Sequence, residues 1–323
     1  MWTYILFIVG FVILIKGADL LVSGASSIGK RYNVSNLIIG LTIVSFGTSL
    51  PELLVNLIAS FGGNPDIGVG NILGSNIANI LLILGVSALV YPLVITRNTI
   101  FVEVPFSLTA TLLVGFLANA ALFGKSEGLF ISQFDGIILL FFFALFMGYV
   151  YIVSKEPSTP SPADDDIEEY PILPMGKSVG MILLGMVGLY WGGVWVVDGA
   201  VVIASYFGMS QTFIGLTVIA VGTSLPELVT SVMAASRKNS DIAVGNVVGS
   251  NIFNLLWILG LSATLKPIAY DALTNEDILI VIGSSTLLIL AVVIGKKTAI
   301  SRMEGGIFLL CYIAYIIYLI QRG

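Results

Sequence analysis

The chain has 323 residues, of which 57% are apolar and only 10% are charged, and its formal net charge is −5. A soluble domain carries about 25% charged residues, so this composition predicts an integral membrane protein with most of its surface in lipid. The absence of histidine excludes histidine-zinc sites and Ser-His-Asp triads, the single Cys311 excludes an intrachain disulfide, and the acidic balance does not favour nucleic-acid binding.

Long apolar runs divide the chain into ten candidate membrane helices, because a spanning helix takes about 20 apolar residues and satisfies its backbone hydrogen bonds internally. The first run starts at Trp2 without a basic region before it and is too long for a signal peptide. The predicted fold is therefore an all-α integral membrane protein. The ten runs cover 2–28, 36–61, 66–91, 99–122, 129–153, 178–205, 210–235, 241–266, 277–295 and 303–320.

A polar segment, 154–176, separates the fifth run from the sixth. It contains five prolines and an acidic cluster at Asp164–Glu169, which together are typical of a solvated linker. The predicted organisation is a first five-helix unit at 1–153, this linker, and a second five-helix unit at 177–323.

Two copies of one sequence unit lie on either side of the linker. Gly47–Leu53 (GTSLPEL) recurs as Gly222–Leu228, and Asp66–Asn79 recurs as Asp241–Asn254 with 10 of 14 positions identical. The offset is 175 in both cases. A constant offset over this length indicates an internal duplication.

The number of spans in each unit predicts how the two copies are oriented. Five is an odd number, so the second copy enters the membrane from the opposite side, and such inverted repeats are typical of transporters. Ten basic residues fall in loops on one side and three on the other. The positive-inside rule therefore predicts extracellular termini and a cytoplasmic linker.

Glu52 and Glu227 are equivalent acidic residues within the predicted spans, and each directly follows a proline. A carboxylate at bilayer depth needs compensation, and no basic residue repeats beside these two, which favours a bound cation. Each proline lacks an N–H and frees a carbonyl one turn upstream. The repeated motifs add hydroxyl and amide oxygens from Thr48, Ser49, Ser75, Asn79, Thr223, Ser224, Ser250 and Asn254.

This all-oxygen set of side chains suits hard cations. Mg²⁺ gives up its water reluctantly, so a dry cage of protein oxygens favours Ca²⁺ or Na⁺. Two fixed negative charges balance one Ca²⁺, and replacing that ion by three or more Na⁺ moves net charge. The residues alone therefore indicate a two-fold transporter whose partners are hard cations and the lipid bilayer.

The paired motifs GTSLPE, GNILGSNIAN and GNVVGSNIFN resemble the two alpha repeats of the sodium/calcium exchanger family, within the calcium/cation antiporter superfamily. The repeats correspond to 40–91 and 215–266. The resemblance implies that Glu52 and Glu227 are central ligands shared by Ca²⁺ and Na⁺. The other implied ligands are Asn79 and Asn254, oxygens of Thr48 and Thr223, the hydroxyls of Ser49, Ser75, Ser224 and Ser250, and the carbonyls of Ser45 and Ala220.

The same resemblance implies electrogenic Na⁺/Ca²⁺ antiport by alternating access, in the plasma membrane and by a monomer, with spans one and six as the moving part. It implies no cofactor beyond the transported ions. Potassium-dependent exchangers, and some prokaryotic relatives, carry aspartate where this chain has Asn254. An asparagine does not supply the extra charge that a co-transported K⁺ would need, so we expect potassium independence. The linker is also too short for the calcium-sensing domains of animal exchangers.

Four charged residues outside the repeated motifs are expected to be structural or interfacial: Lys16, Asp19, Glu103 and Asp198, which is equivalent to Ser23. Lys16 and Asp19 are three residues apart and are predicted to pair on one helix face. Glu103 is predicted to lie near an end of the fourth span.

Two alternative functions stay open at this point. A Ca²⁺/H⁺ antiporter of the same superfamily would use the two glutamates to carry protons instead of binding Na⁺. An intramembrane hydrolase would use them as acid and base, although their nearly identical flanking sequences disfavour unlike roles. A continuous channel is disfavoured because an inverted repeat suits alternating access.

Overall fold

The computed structural model describes residues 2–62, 65–120, 129–155, 171–208, 220–294 and 299–322, which are mostly helical. Eight helices among them are long and apolar enough to cross a membrane. A ninth candidate is the pair Asn36–Thr48 and Leu50–Gly62, which is bent by 46°. The predicted span 210–235 is described only from residue 220, so the expected total of ten stays a prediction. The acidic cluster of the linker lies outside the described residues.

The described helices are, in chain order, α1 (Trp2–Tyr32), α2 (Asn36–Ile39), α3 (Ser45–Thr48), α4 (Leu50–Gly62), α5 (Pro65–Ile77), α6 (Leu84–Val90), α7 (Val104–Ala118), α8 (Gln133–Val153), α9 (Met175–Tyr206), α10 (Ala220–Thr223), α11 (Leu225–Ser236), α12 (Ser240–Ile252), α13 (Leu259–Leu265), α14 (Thr274–Ile294) and α15 (Arg302–Arg322). Helix α9 begins inside the segment that the sequence assigns to the linker. Four segments have π-helical hydrogen bonding: Gly40–Val44, Ala78–Ile83, Thr99–Glu103 and Phe253–Ile258.

The two repeat units share helix boundaries at the sequence offset of 175. Helices α5 and α12, the π segments Ala78–Ile83 and Phe253–Ile258, and helices α6 and α13 begin and end at equivalent residues. Each of these runs forms one long, mostly buried span, Gly68–Val90 in the first unit and Ser240–Leu265 in the second. The local structure therefore repeats together with the sequence.

Helices α4 and α11 both begin just after an interruption of the preceding helix, and each has a proline in its first turn. Ser49 (φ −84°, ψ 6°) and Ser224 (φ −88°, ψ 6°) leave the helical conformation at equivalent positions. Pro51 and Pro226 follow two residues later, where their missing N–H groups fit the first turn of a new helix. The break places a glutamate in the first turn of each new helix.

The long helices α1 and α9 pack together antiparallel along a seam of glycines. A Cβ atom added at Gly10 would lie 3.0 Å from the carbonyl oxygen of Gly192, and one at Gly185 would lie 2.7 Å from the backbone nitrogen of Leu21. A Cβ added at Gly24 would lie 2.8 Å from the carbonyl oxygen of Ser178. Small residues thus let the two backbones approach closely, as in other membrane helix pairs.

The structure contains two short antiparallel strand pairs, which the predicted all-α class does not include. Leu93–Val94 pairs antiparallel with Ala299–Ile300, and Phe130–Ile131 pairs antiparallel with Ile268–Ala269. Each pair joins two loops that the charge distribution assigns to the same side of the membrane. Strands of two residues are too short to leave a periodic signal in the sequence.

Asp19 forms its ion pair with Arg237, at the end of α11, and the predicted pairing with Lys16 is wrong. The Arg237 guanidinium also donates to Ser23 Oγ at 3.2 Å. The contact ties α1 to α11. The positions equivalent to Asp19 and Arg237 in the other unit are Val194 and Gly62, so this ion pair is not duplicated.

The glycine seam predicts opposite effects of alanine at two positions of α9. Gly185→Ala should lower the free energy of unfolding by about 1–3 kcal/mol, because the new methyl group overlaps the backbone of α1. Gly193→Ala is the matched control, because a Cβ atom added there has no neighbouring atom of another helix within 4 Å. It should raise the free energy of unfolding, since alanine in a helix is more stable than glycine by about 0.5–1 kcal/mol. Thermal unfolding of the purified protein in detergent, followed by tryptophan fluorescence, measures both, and equal stabilities would contradict the described packing.

Candidate cation-binding site

Two buried carboxylates form the centre of the candidate site. Glu52 and Glu227 lie in the first turns of α4 and α11, and each side chain is only 1% exposed. The positive end of each helix macrodipole is therefore close to its glutamate. The two carboxyl groups lie near each other, and no ion pair among the described residues involves either of them. Two like charges thus share one interior site.

Hydroxyl groups from one repeat unit contact oxygens of the other. Ser49 Oγ donates to Glu227 Oε1 at 3.1 Å, and Ser224 Oγ donates to Ser75 Oγ at 3.1 Å. All four side chains are buried. Ser250 is also buried and lies beside the Glu227 carboxylate. The structure therefore places Ser49 and Ser250 at Glu227 and joins Ser75 to Ser224 across the two units.

The threonines are held by two asparagines that the sequence reasoning did not assign to the site. Thr48 Oγ1 donates to Asn246 Oδ1 at 3.0 Å, and Asn71 Nδ2 donates to Thr223 Oγ1 at 2.9 Å. Asn246 Nδ2 in turn donates to Ser231 Oγ at 2.9 Å. Asn71 and Asn246 are equivalent positions within the repeated 14-residue block, so the duplication itself was the signal that could have identified them.

Four asparagines form the second missed feature of the site. Asn79 Nδ2 donates to Asn251 Oδ1, and Asn254 Nδ2 donates to Asn76 Oδ1, both at 2.9 Å. The sequence reasoning named Asn79 and Asn254 but gave no role to their partners. Asn76 and Asn251 also belong to the repeated block, within its Gly-Ser-Asn motifs.

The remaining two predicted ligands are backbone carbonyls, of Ser45 and Ala220. The Ser45 carbonyl accepts hydrogen bonds from Ser49 N at 3.0 Å and from Thr48 Oγ1 at 3.3 Å. Ser45 is fully buried, and a Cβ atom added at Gly249 would lie 2.7 Å from its Oγ. Ala220 is the first residue of α10, one turn before Ser224.

Oxygen atoms without a hydrogen-bond donor are concentrated in this region. Within the described residues, both carboxylate oxygens of Glu52 and one of Glu227 are buried and unpartnered. The amide oxygens of Asn71, Asn79 and Asn254 and the hydroxyl of Ser250 are likewise buried without a partner. Buried polar atoms in native proteins are normally paired, and these unpaired oxygens are of the chemical type that binds hard cations.

The amino-acid sequence also matches a known protein family. A family model described as sodium/calcium exchanger protein matches residues 2–152 and 177–321. The chain belongs to the sodium/calcium exchanger family. It is therefore a multi-pass membrane transporter and not an enzyme, which excludes the hydrolase alternative. Members of this family transport Na⁺ and Ca²⁺ across membranes.

Named relatives and solved structures match nearly the whole chain. The putative antiporter CaxA of Alkalimonas amylolytica is 40% identical over 95% of both chains. The sodium/calcium exchanger MaX1 of Methanosarcina acetivorans is 32% identical over 98% of both chains. The structure of the sodium-calcium exchanger NCX_Mj soaked with 2.5 mM Na⁺ and 0.1 mM Ca²⁺ is 33% identical, covers 98% of each chain, and superposes with a TM-score of 0.77.

Proposed function

We propose that this chain is an electrogenic Na⁺/Ca²⁺ antiporter that works by alternating access and does not require K⁺. The observation that supports this most strongly is the pair of buried glutamates surrounded by oxygens that lack donors. Within the described residues no basic side chain compensates these charges. A bound cation then supplies the compensation that a carboxylate in a low-dielectric interior requires.

The proposed ligands are those of the resemblance, and the contacts described above support most of them. Ca²⁺ takes six to eight oxygen ligands and accepts irregular geometry, which suits a mixture of carboxylate, hydroxyl, amide and carbonyl groups. We assign to the cage Glu52 and Glu227, Thr48 and Thr223, Ser49, Ser75, Ser224 and Ser250, Asn79 and Asn254, and the carbonyls of Ser45 and Ala220. No further cofactor is proposed.

An inverted relation between the two five-helix units is part of the proposal. The first helices of the units, α1 and α9, run antiparallel, with Gly10 beside Gly192 and Leu21 beside Gly185. The bonds between the central asparagines also occur in exchanged pairs, which a two-fold relation requires. With the charge bias of the loops, this supports termini outside the plasma membrane and the linker inside.

Loading of the cage controls the conformational switch in this mechanism. Either one Ca²⁺ or a set of Na⁺ neutralises Glu52 and Glu227 and lets the site close into a dry state. Without ions, closing would bury two unpaired charges, which costs several kcal/mol for each. Replacing one Ca²⁺ by three Na⁺ moves one net charge, so transport responds to the membrane potential. The helices α1 and α9 are the proposed moving part.

Exchange in proteoliposomes tests the proposed function. Vesicles that contain Na⁺ and the purified protein should accumulate ⁴⁵Ca²⁺ when diluted into Na⁺-free medium, and an inside-negative potential should slow this uptake because net positive charge leaves. Protein-free vesicles are the control. Uptake that follows a pH gradient instead of the Na⁺ gradient would make H⁺ the counter-ion, as in the Ca²⁺/H⁺ alternative, and would overturn the proposal.

Neutral substitutions of the glutamates test the assignment of the cage. Glu52→Gln and Glu227→Gln should each weaken ⁴⁵Ca²⁺ binding to the purified protein by roughly 30-fold or more, because removing one member of a buried charge interaction costs about 2–5 kcal/mol. Glu103→Gln is a matched control: Glu103 is also fully buried, but it accepts a hydrogen bond from Tyr149 at 2.5 Å. Normal binding in either cage variant would remove that residue from the site.

Potassium independence is tested with the wild type and with the Asn254→Asp variant, which adds a third carboxylate to the proposed site. Wild-type exchange should proceed at the same rate whether K⁺ or choline is the additional cation, because Asn254 brings no charge that K⁺ would balance. Asn254→Asp should make exchange depend on K⁺ or on pH, since the added carboxylate needs a further cation or a proton. A requirement of the wild type for K⁺, or an unchanged ion dependence in the variant, would contradict this reading.

A further inference from the structure

Four asparagines at the centre of the molecule form two reciprocal hydrogen bonds between the repeat units. Asn79 Nδ2 donates to Asn251 Oδ1 and Asn254 Nδ2 donates to Asn76 Oδ1, each at 2.9 Å. Asn79 is equivalent to Asn254 and Asn76 to Asn251, so the second bond is the first with the two units exchanged. All four side chains are at most 2% exposed.

The bonds determine which end of the Asn79 and Asn254 amides is left unpaired. An asparagine amide carries its donor and its acceptor on opposite sides of the group. Because the nitrogen atoms of Asn79 and Asn254 are used on Asn251 and Asn76, their Oδ1 atoms turn away from these partners. Both Oδ1 atoms are buried and have no donor among the described residues. The atom that each of these two amides leaves unpaired is therefore its oxygen, and not its NH₂ group.

The reversed orientation is disfavoured by the partners themselves. Rotating the Asn79 amide by 180° would bring its oxygen against the oxygen of Asn251, two acceptors in a buried site. Asn76 is in turn fixed by its own Nδ2 group, which donates to the backbone carbonyl of Asn251 at 3.3 Å. The Oδ1 atoms of Asn76 and Asn251 are already engaged, so these residues orient ligands without offering this oxygen to an ion.

We propose that Asn76 and Asn251 are positioning residues of the exchanger, which hold the amide oxygens of Asn254 and Asn79 toward the transported cations. The proposal rests on the proposed function of the cage. It also gives a reason for the neutral residue at position 254. The Oδ1 atom of Asn76 is a hydrogen-bond acceptor, so the residue at position 254 must donate a hydrogen bond to it. An ionised aspartate at position 254 could not donate.

A double-mutant cycle on Ca²⁺ binding separates this role from simple packing. ⁴⁵Ca²⁺ binding is measured in detergent without Na⁺, for variants that stay monodisperse. Asn251→Leu, which keeps the size of the side chain but accepts no hydrogen bond, should weaken binding about tenfold, the effect of one lost buried hydrogen bond. Because Asn251 acts through Asn79, adding Asn251→Leu to Asn79→Ala should have little further effect.

The matched control of the cycle combines Asn251→Leu with Asn254→Ala. Their side chains do not bond each other, so the further effect on binding should be clearly larger than for the bonded pair Asn79 and Asn251. Asn76→Leu should show the mirrored pattern, with no further effect on Asn254→Ala and a clear further effect on Asn79→Ala. If a leucine variant does not fold, the alanine variant of the same position is put through the same cycle.

Two results would overturn the positioning role: unchanged Ca²⁺ binding in the single variants, or additive effects for the bonded pair Asn79 and Asn251. Failure of the proposed function has a different signature. A wild type that binds ⁴⁵Ca²⁺ but does not exchange it for Na⁺ would refute Na⁺/Ca²⁺ antiport, while the cycle would still decide the role of Asn76 and Asn251.

Discussion

The structure depends on one electrostatic constraint, which is that two carboxylates lie together in an interior that excludes water. Glu52 and Glu227 are each 1% exposed, and each would lose several kcal/mol of solvation free energy if it stayed unpaired. The surrounding features reduce this cost. The helix breaks before Pro51 and Pro226 bring helix N-termini to the carboxylates, and the neighbouring side chains present mainly oxygen. The same arrangement that destabilises an ion-free site selects for cations.

Because the unit is duplicated, the surroundings of the two carboxylates are built from the same few residue types. Each unit supplies one glutamate, and hydrogen bonds cross between the units, as from Ser49 to Glu227 and from Ser224 to Ser75. The glycine seam between α1 and α9 lies apart from these contacts and consists largely of backbone against backbone. The molecule thus divides into a polar, cross-bonded centre and a helix pair with few polar contacts beside it.

The sequence predicted those features that are encoded locally or by repetition. The offset of 175 identified both glutamates, their hydroxyl neighbours and the helix breaks, because a duplicated motif is visible without knowledge of the fold. It could not predict contacts that depend on how the units face each other. Asp19 was assigned to nearby Lys16, yet its partner Arg237 is 218 positions away. Asn76 and Asn251 were visible in the motif, but their role depends on which amide atoms remain unpaired, and only coordinates reveal that.

The exchanged pairing of the central asparagines has a consequence for the origin of the molecule. Each bond joins a position in one unit to a different position in the other, and both units carry the same residue at both positions. Two copies of a single unit, related by a two-fold axis, would therefore make both bonds. The two asparagine bonds therefore do not require the two halves of the chain to differ in sequence at these positions.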